Sequence, residues 1–266
     1  MRASARIVAE ADRFGGTRLP VLRGESPLLF RRTGPDVLHL VGGAAGPLRG
    51  DELRLEIEVG AYARLEIRSV AATLLLPGRP GPPSRLLVHA RVGDGAVLRW
   101  LPEPVIAAAG CDHRAVTTVE VADGGALVWR DELVCGRHGE PPGVVRAETT
   151  VRYAGRTLHR HDLTVGADGW DGAAVLGGHR AVGTVLVAGP RLPEPAPRGW
   201  KTPSPATPSP ATPSPDAAVL ALAGPGVLVT AAGPDIRAVR AALDPFCEPA
   251  ADDADRQPAA LAGPRR

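Results

Sequence analysis

Between Asp51 and Val165 the chain alternates apolar and polar residues at a period of two, a pattern that no helix can use. Leu53, Leu55, Ile57 and Val59 interleave with Arg54, Glu56 and Glu58; after a turn at Gly60, Leu65 and Ile67 interleave with Arg64, Glu66 and Arg68. Side chains of a strand point alternately to its two faces, so these are half-buried strands with one apolar and one charged face. The strand, turn, strand unit then recurs. Val59-Gly-Ala-Tyr-Ala-Arg-Leu65, Val92-Gly-Asp-Gly-Ala-Val-Leu98 and Val121-Ala-Asp-Gly-Gly-Ala-Leu127 keep one Val-to-Leu spacing. The copies start 33 and 29 residues apart, and a looser fourth, Val151 to Leu158, follows after 30 more. Such a unit cannot cover its own apolar face, and stacked copies bury it against one another. The expected fold is mainly β, a stacked β-hairpin or β-helix-like body with few short helices. The same turn chemistry also suits a β-sandwich.

The β-rich body is expected over residues 1–190. Residues 191–216 interrupt it with a tandem Ala-Thr-Pro-Ser-Pro unit, which has too little apolar surface to offset its ordering entropy, and are expected as a disordered insertion. Strand-like runs lie on both sides, Ala181 to Ala188 before and Val219 to Ala223 then Gly226 to Thr230 after, so the insertion falls within a sheet region. Residues 217–245 complete the body with those strands and one short amphipathic helix. Asp235 caps that helix, Ile236, Val239, Arg240 and Leu243 define it, and Pro245 stops it. Residues 246–266 are expected as a loose tail.

The 31 basic and 29 acidic residues are spread along the chain, without the positive stripe that would suit nucleic acid or a membrane surface. Lys201 is the only lysine and lies beside the proline-rich tract. A Walker loop needs a lysine after its glycines and Schiff-base chemistry needs a buried one, so both are excluded. Neither a Gly-x-Ser-x-Gly elbow nor a dinucleotide-binding glycine motif occurs in the body. The start has no apolar signal core, and the segment Val219 to Ala232 is too short and too interrupted to span a bilayer, which leads to the expectation of a soluble cytoplasmic protein. Cys111, Cys135 and Cys247 lack a close-spaced framework and fit reduced thiols.

Three features could carry chemistry. His159 and His161 stand two apart on a strand, face the same way, and could share an ion; Cys111-Asp-His113 and Cys135-Gly-Arg-His138 are further close pairs, and none has zinc-site spacing. Alternation also puts His159 and His161 on the side of Leu163 and Val165, where a hydrogen-bonded packing role is just as natural; no tightly bound cofactor is expected, and a metal would make at most a transient contact. Parity from Leu127 to Leu133 sets Asp131 on the face of Leu127, Trp129 and Leu133, where it either forms a salt bridge, for instance with Arg137 or Arg99, or lines an internal passage. Glu103 stands between Pro102 and Pro104. The two prolines remove backbone donors and keep their neighbours extended, so this stretch belongs at an edge, corner or crossover. There Glu103 faces a partner or an ion path, or closes the corner onto backbone amides.

Taken in order, a set of motifs resembles the urease accessory protein family UreD, also called UreH. They are Gly42-Gly43 leading to Gly50-Asp51, Ala71-Ala72-Thr73, the run Leu101-Pro102-Glu103-Pro104-Val105-Ile106, Trp129-Arg-Asp131, Gly136-Arg137, and Gly139-Glu140. The resemblance covers Gly42 to Val165 well. The chain departs from the pattern at Leu74, where a lysine is usual, at Arg49, where a glycine is usual, and in its proline-serine insertion. The resemblance implies a non-enzymatic protein that docks on the urease apoprotein and binds UreF, which recruits the nickel-carrying GTPase UreG. It also implies that nickel passes along weak oxygen ligands rather than settling in a closed site. Glu103, Asp131, His159 and His161 are the candidate residues of such a path. Two other readings stay open: a metal-dependent enzyme using His159, His161 and Asp131 or Asp162, and a degenerate paralogue that serves only as a binding module.

Overall fold

In the computed structural model, residues 1–190 and 215–247 are described. The strands are β1 (Arg2–Ala11), β2 (Thr17–Gly24), β3 (Leu28–Arg32), β4 (Val37–Gly42), β5 (Glu52–Val59), β6 (Arg64–Ser69), β7 (Thr73–Leu75), β8 (Ser84–Val92) and β9 (Val97–Leu101). They continue as β10 (Val105–Ala107), β11 (Asp112–Val121), β12 (Ala126–Val134), β13 (Val144–Tyr153), β14 (Arg156–Val165), β15 (Ala181–Ala188), β16 (Asp216–Ala221) and β17 (Gly226–Gly233), and α1 (Ile236–Leu243) follows.

One sheet runs β14-β13-β11-β8-β5-β1-β2 and the other β16-β17-β15-β12-β9-β6-β4-β3. The central strands pair in parallel: β13, β11, β8, β5 and β1 in the first sheet, and β12, β9, β6 and β4 in the second. Each repeat is one coil, a long strand in the first sheet, a tight turn, and a strand in the second. The expected stack of coils is what forms, and its two walls face each other as a sandwich does. Strands β1 to β4 lie outside the alternating segment that the sequence singles out.

The turns stack as closely as the strands. Gly93 N donates to Val59 O at 2.8 Å, Ala122 N to Val92 O at 2.8 Å, and Ala154 N to Val121 O at 2.9 Å. A Cβ on Gly125 would lie 2.8 Å from Gly93 O and 3.0 Å from Val121 Cγ1, so alanine there must push two coils apart. Gly125→Ala is expected to lower stability by about 1–3 kcal/mol in urea denaturation, the usual cost of overpacking; an unchanged midpoint would show that the turns have slack.

Beneath the turns the core is dry. Val59, Leu65, Val92, Leu98, Val121 and Leu127 form one buried layer, and Trp100 and Trp129 stack in the next with ring centroids 5.0 Å apart. On the outer face of the second sheet, α1 buries Val239, Ala242 and Leu243. Asp235 caps the helix by accepting from Ala238 N at 3.0 Å. Gly183 makes room for it, since a Cβ there would meet Leu243 Cδ1 at 2.7 Å.

The packed chain runs on through a 3-10 turn, Asp244–Phe246, to Cys247. Phe246 and Cys247 are buried in the cluster under α1, because the apolar spacing of Val239, Leu243 and Phe246 continues past Pro245. The rest of the expected tail, and the expected insertion up to residue 214, lie outside the described residues. Asp216 already belongs to β16.

Candidate functional site

The site begins where β12 changes partner. Its first half pairs with β9, ending at Trp129 beside Trp100, and its last residues pair with β10, starting at Leu133 beside Val105. Between these points three residues of β12, 130 to 132, face four residues, 101 to 104, and no ladder joins them. The prolines explain the break, since neither Pro102 nor Pro104 has an N–H to donate. The corner is therefore internal, because β10 is flanked by β7 and β12, and the edge position that prolines also permit is not used.

Arg130 reaches into this break from the outer face and donates to Pro102 O at 3.0 Å. Glu103 N donates to Ser69 Oγ at 2.9 Å, while its carboxylate pairs with Arg240 at 3.0 Å. The Glu103 side chain thus faces the helix cation and does not cap amides of the corner.

Successive residues of a strand face opposite ways, so Glu132 lies under α1 while Asp131 faces the first sheet. Asp131 accepts from Trp129 Nε1 at 3.0 Å and from the Thr149 hydroxyl. Neither arginine expected as a salt-bridge partner reaches it: Arg99 pairs with Glu66 at 2.8 Å and Arg137 with Glu140 at 2.7 Å. Burial pushes the Asp131 carboxyl up to about 6; the two hydrogen bonds hold it down in part, and the Glu132 charge adds to the rise. Protein surrounds Asp131 on all sides, yet some of its surface stays open to water.

Its neighbours make this a polar level of the inter-sheet space, apart from the buried Ser84–His113 pair nearer the other end of the strands. Thr184 stands beside Asp131 in the ladder, and Thr230 beside Thr184. In the first sheet Thr117, Thr149 and His161 are ladder partners in a row. Ala115, Ala147, Thr149, Val182, Thr184, Leu228 and Thr230 all face inward and all keep partial exposure, unlike the dry layers at the turns. Small and hydroxylated side chains leave this level less tightly sealed than the layers at the turns, and the exposed side of β14 lies at its edge.

His159 and His161 stand on β14 at that edge with ring centroids 6.0 Å apart. Burial, and then the neighbouring His161, hold His159 below the usual imidazole range. Its nitrogen is therefore available as a neutral donor near pH 7. His179 pairs with Asp216 at 2.9 Å on the opposite edge. The structure thus brings Asp131, Thr149 and His161 into one line, with His159 at its end; Glu103 lies across β12 on the outer side. Among the described residues no group of three or more His, Cys, Asp or Glu side chains could hold a metal ion.

The other singled-out pairs do not converge on this line. His113 is buried beside Ser84 Oγ at 2.8 Å, and burial lowers it to about 4. Cys111, Cys135 and Cys247 are buried free thiols, each pushed up to about 11 by that burial.

Most of the motif residues hold loops. Gly50 has φ of 83°, and Asp51 is buried, accepting from Leu48 N at 2.8 Å and from the Met1 amine at 2.7 Å. Gly136 has φ of 85°, and Arg137 grips Glu140, which also accepts from Ala109 N at 3.2 Å. Leu101 is buried, and Ile106 sits in the ladder beside Leu74.

A family model described as UreD urease accessory protein matches residues 1–262. A Streptomyces griseus protein named urease accessory protein UreD 3 is 45% identical over 254 residues, covering 92% of this chain and 95% of its own length. The Streptomyces coelicolor urease accessory protein UreD is 43% identical over 251 residues, covering 92% and 94%. A Streptomyces avermitilis protein of the same name is 41% identical over 251 residues. With a family match over residues 1–262 and relatives more than 40% identical over 92% of its length, the chain belongs to the UreD urease accessory protein family.

Proposed function

We propose that this protein acts in urease maturation as a non-enzymatic scaffold that hands nickel to the urease apoprotein, in the cytoplasm, in complex with UreF and, through UreF, UreG. Nickel is cargo here and not a resident cofactor. The observation that carries the reading is Asp131, an enclosed but partly exposed carboxylate between the sheets, set beside Thr149, whose ladder partner is His161, with His159 next to it on the edge strand β14. Between the β14 edge and the floor of such a space lie imidazoles, then hydroxyls, then one carboxylate. No set is complete, so each contact can be broken in turn.

The described residues include no helix long and apolar enough to cross a membrane. A host lacking this gene should accumulate apo-urease subunits with little bound nickel, and co-purification should retrieve UreF and UreG with the tagged protein. Normal nickel content of urease in the deletion strain would overturn the reading.

A further inference from the structure

We propose that Arg240 is an exchangeable internal cation seated at a second metal-binding position, formed by Glu103 and Glu132 at the outer end of the β12 break, and that the divalent cargo takes its place there. This rests on the nickel-transfer reading and adds an entry site to it.

One atom, Arg240 Nη2, lies 3.0 Å from Glu103 Oε2 and 2.9 Å from Glu132 Oε2. Two carboxylates thus converge on a single positive nitrogen, which is how carboxylates bridge a metal ion. Arg240 Nε also donates to both oxygens of Glu132, at 3.1 Å each. The cluster is short of positive charge, with Glu103, Glu132 and Asp244 set against Arg130 and Arg240. A dication in place of the Arg240 guanidinium would bring the five-group sum from minus one to zero.

A second observation comes from Arg130. Its Nε is the only buried side-chain nitrogen or oxygen among the described residues without a hydrogen-bond partner. It lies 3.7 Å from Glu132 Oε2, beyond hydrogen-bond reach, while Arg240 holds both oxygens of that carboxylate. An orphaned buried donor is costly, and it is relieved when Arg240 withdraws. Glu132 then settles on Arg130 with one oxygen and turns the other to the ion, so the carboxylate has two defined seats.

The exchange needs no backbone movement. The Arg240 side chain is 26% exposed and Glu103 37%, whereas Glu132 is 1% exposed, so the guanidinium can swing out to water while Val239 and Leu243 keep α1 in place. Asp131, the next residue along β12, faces the other side of the sheet, and the break at residues 101–104 lies beside both. An ion held by Glu103 and Glu132 is therefore one strand thickness from the inter-sheet space.

The test is equilibrium dialysis of the purified full chain against nickel chloride, with metal counted by mass spectrometry. Arg240→Gln should bind one additional nickel ion at least tenfold more tightly than the parent, and Glu103→Gln added to it should remove that gain. Uptake by Arg240→Gln no greater than the parent's would overturn the exchange. Should that variant fail to fold, Arg240→Lys carries the test, since it keeps the charge but loses the two-oxygen grip; an intermediate gain supports the exchange and parental uptake overturns it. Urease activation by Asp131→Asn separates the two ideas. If it is inactive while Arg240→Gln gains no nickel, only the exchange fails; if it is fully active, the Asp131 pathway fails and the binding result stands by itself.

Discussion

Asp131→Asn yields a folded protein that is more stable than the parent at neutral pH and supports urease maturation at least tenfold less well. The opposite signs come from one cause. Burial raises this carboxyl from 3.8 to about 6, so the folded state holds the proton more tightly than the unfolded chain does. Stability from that preference is complete below pH 3.8 and is lost as pH rises through 6, where the enclosed group must carry charge. At pH 7 the residual cost is about 2 kcal/mol, allowing for the part of the group that water reaches. Asparagine keeps an oxygen for Trp129 Nε1 and carries no charge, so it removes the cost.

The gain should appear in urea denaturation at pH 7 to 8 and vanish near pH 4. Without the anion the inter-sheet space no longer attracts a divalent ion, and the nickel content of urease should fall together with its activity. A destabilised Asp131→Asn would contradict the account of the site, and a fully matured urease would contradict its role. A purely structural carboxylate would not give both a more stable scaffold and a failed delivery.

Parity alone located this group. Reading Leu127 to Leu133 as one strand puts Asp131 inside, and the same rule along Val145, Ala147, Thr149, Val151 and Tyr153 would have found Thr149, its hydroxyl donor. The partner choice failed because Arg137 and Arg99 are near in sequence or parity but are already held by Glu140 and Glu66. The Leu-Pro-Glu-Pro run announces a break in a ladder. It says nothing of what resumes beyond it, because the pairing of β10 with β7 and β12 is set by coils about 30 residues away. Arg240 was legible as a helix residue. Its grip on Glu132, 108 positions earlier, was not, since α1 finds its seat through the Gly183 gap and the apolar spacing from Val239 to Phe246.

Trp129 ties the dry half of the core to the polar half, and its replacement separates what packing and hydrogen bonding each contribute. The ring stacks on Trp100 at an interplanar angle of 14° and is 2% exposed, while its Nε1 donates to Asp131. Trp129→Ala removes both contributions and leaves a cavity between the two sheets, which should cost about 3–5 kcal/mol in urea denaturation. Trp129→Phe keeps most of the apolar contact and loses only the donor, for about 1–2 kcal/mol. Losing the donor also drives the Asp131 carboxyl further above 6, because one of the two bonds that favour its charged form is gone. The stabilisation by Asp131→Asn should therefore be larger in the Trp129→Phe background than in the parent, a coupling that a double-mutant cycle at pH 7 measures directly. Equal gains in both backgrounds would mean that the indole does not support the carboxylate. Equal losses for phenylalanine and alanine at 129 would mean that the stacked pair adds nothing to the coil. If both distinctions hold, Trp129 fixes the register of β12 on β9 through its ring and sets the charge state of Asp131 through its nitrogen, so the last dry layer of the stack also controls the first polar one.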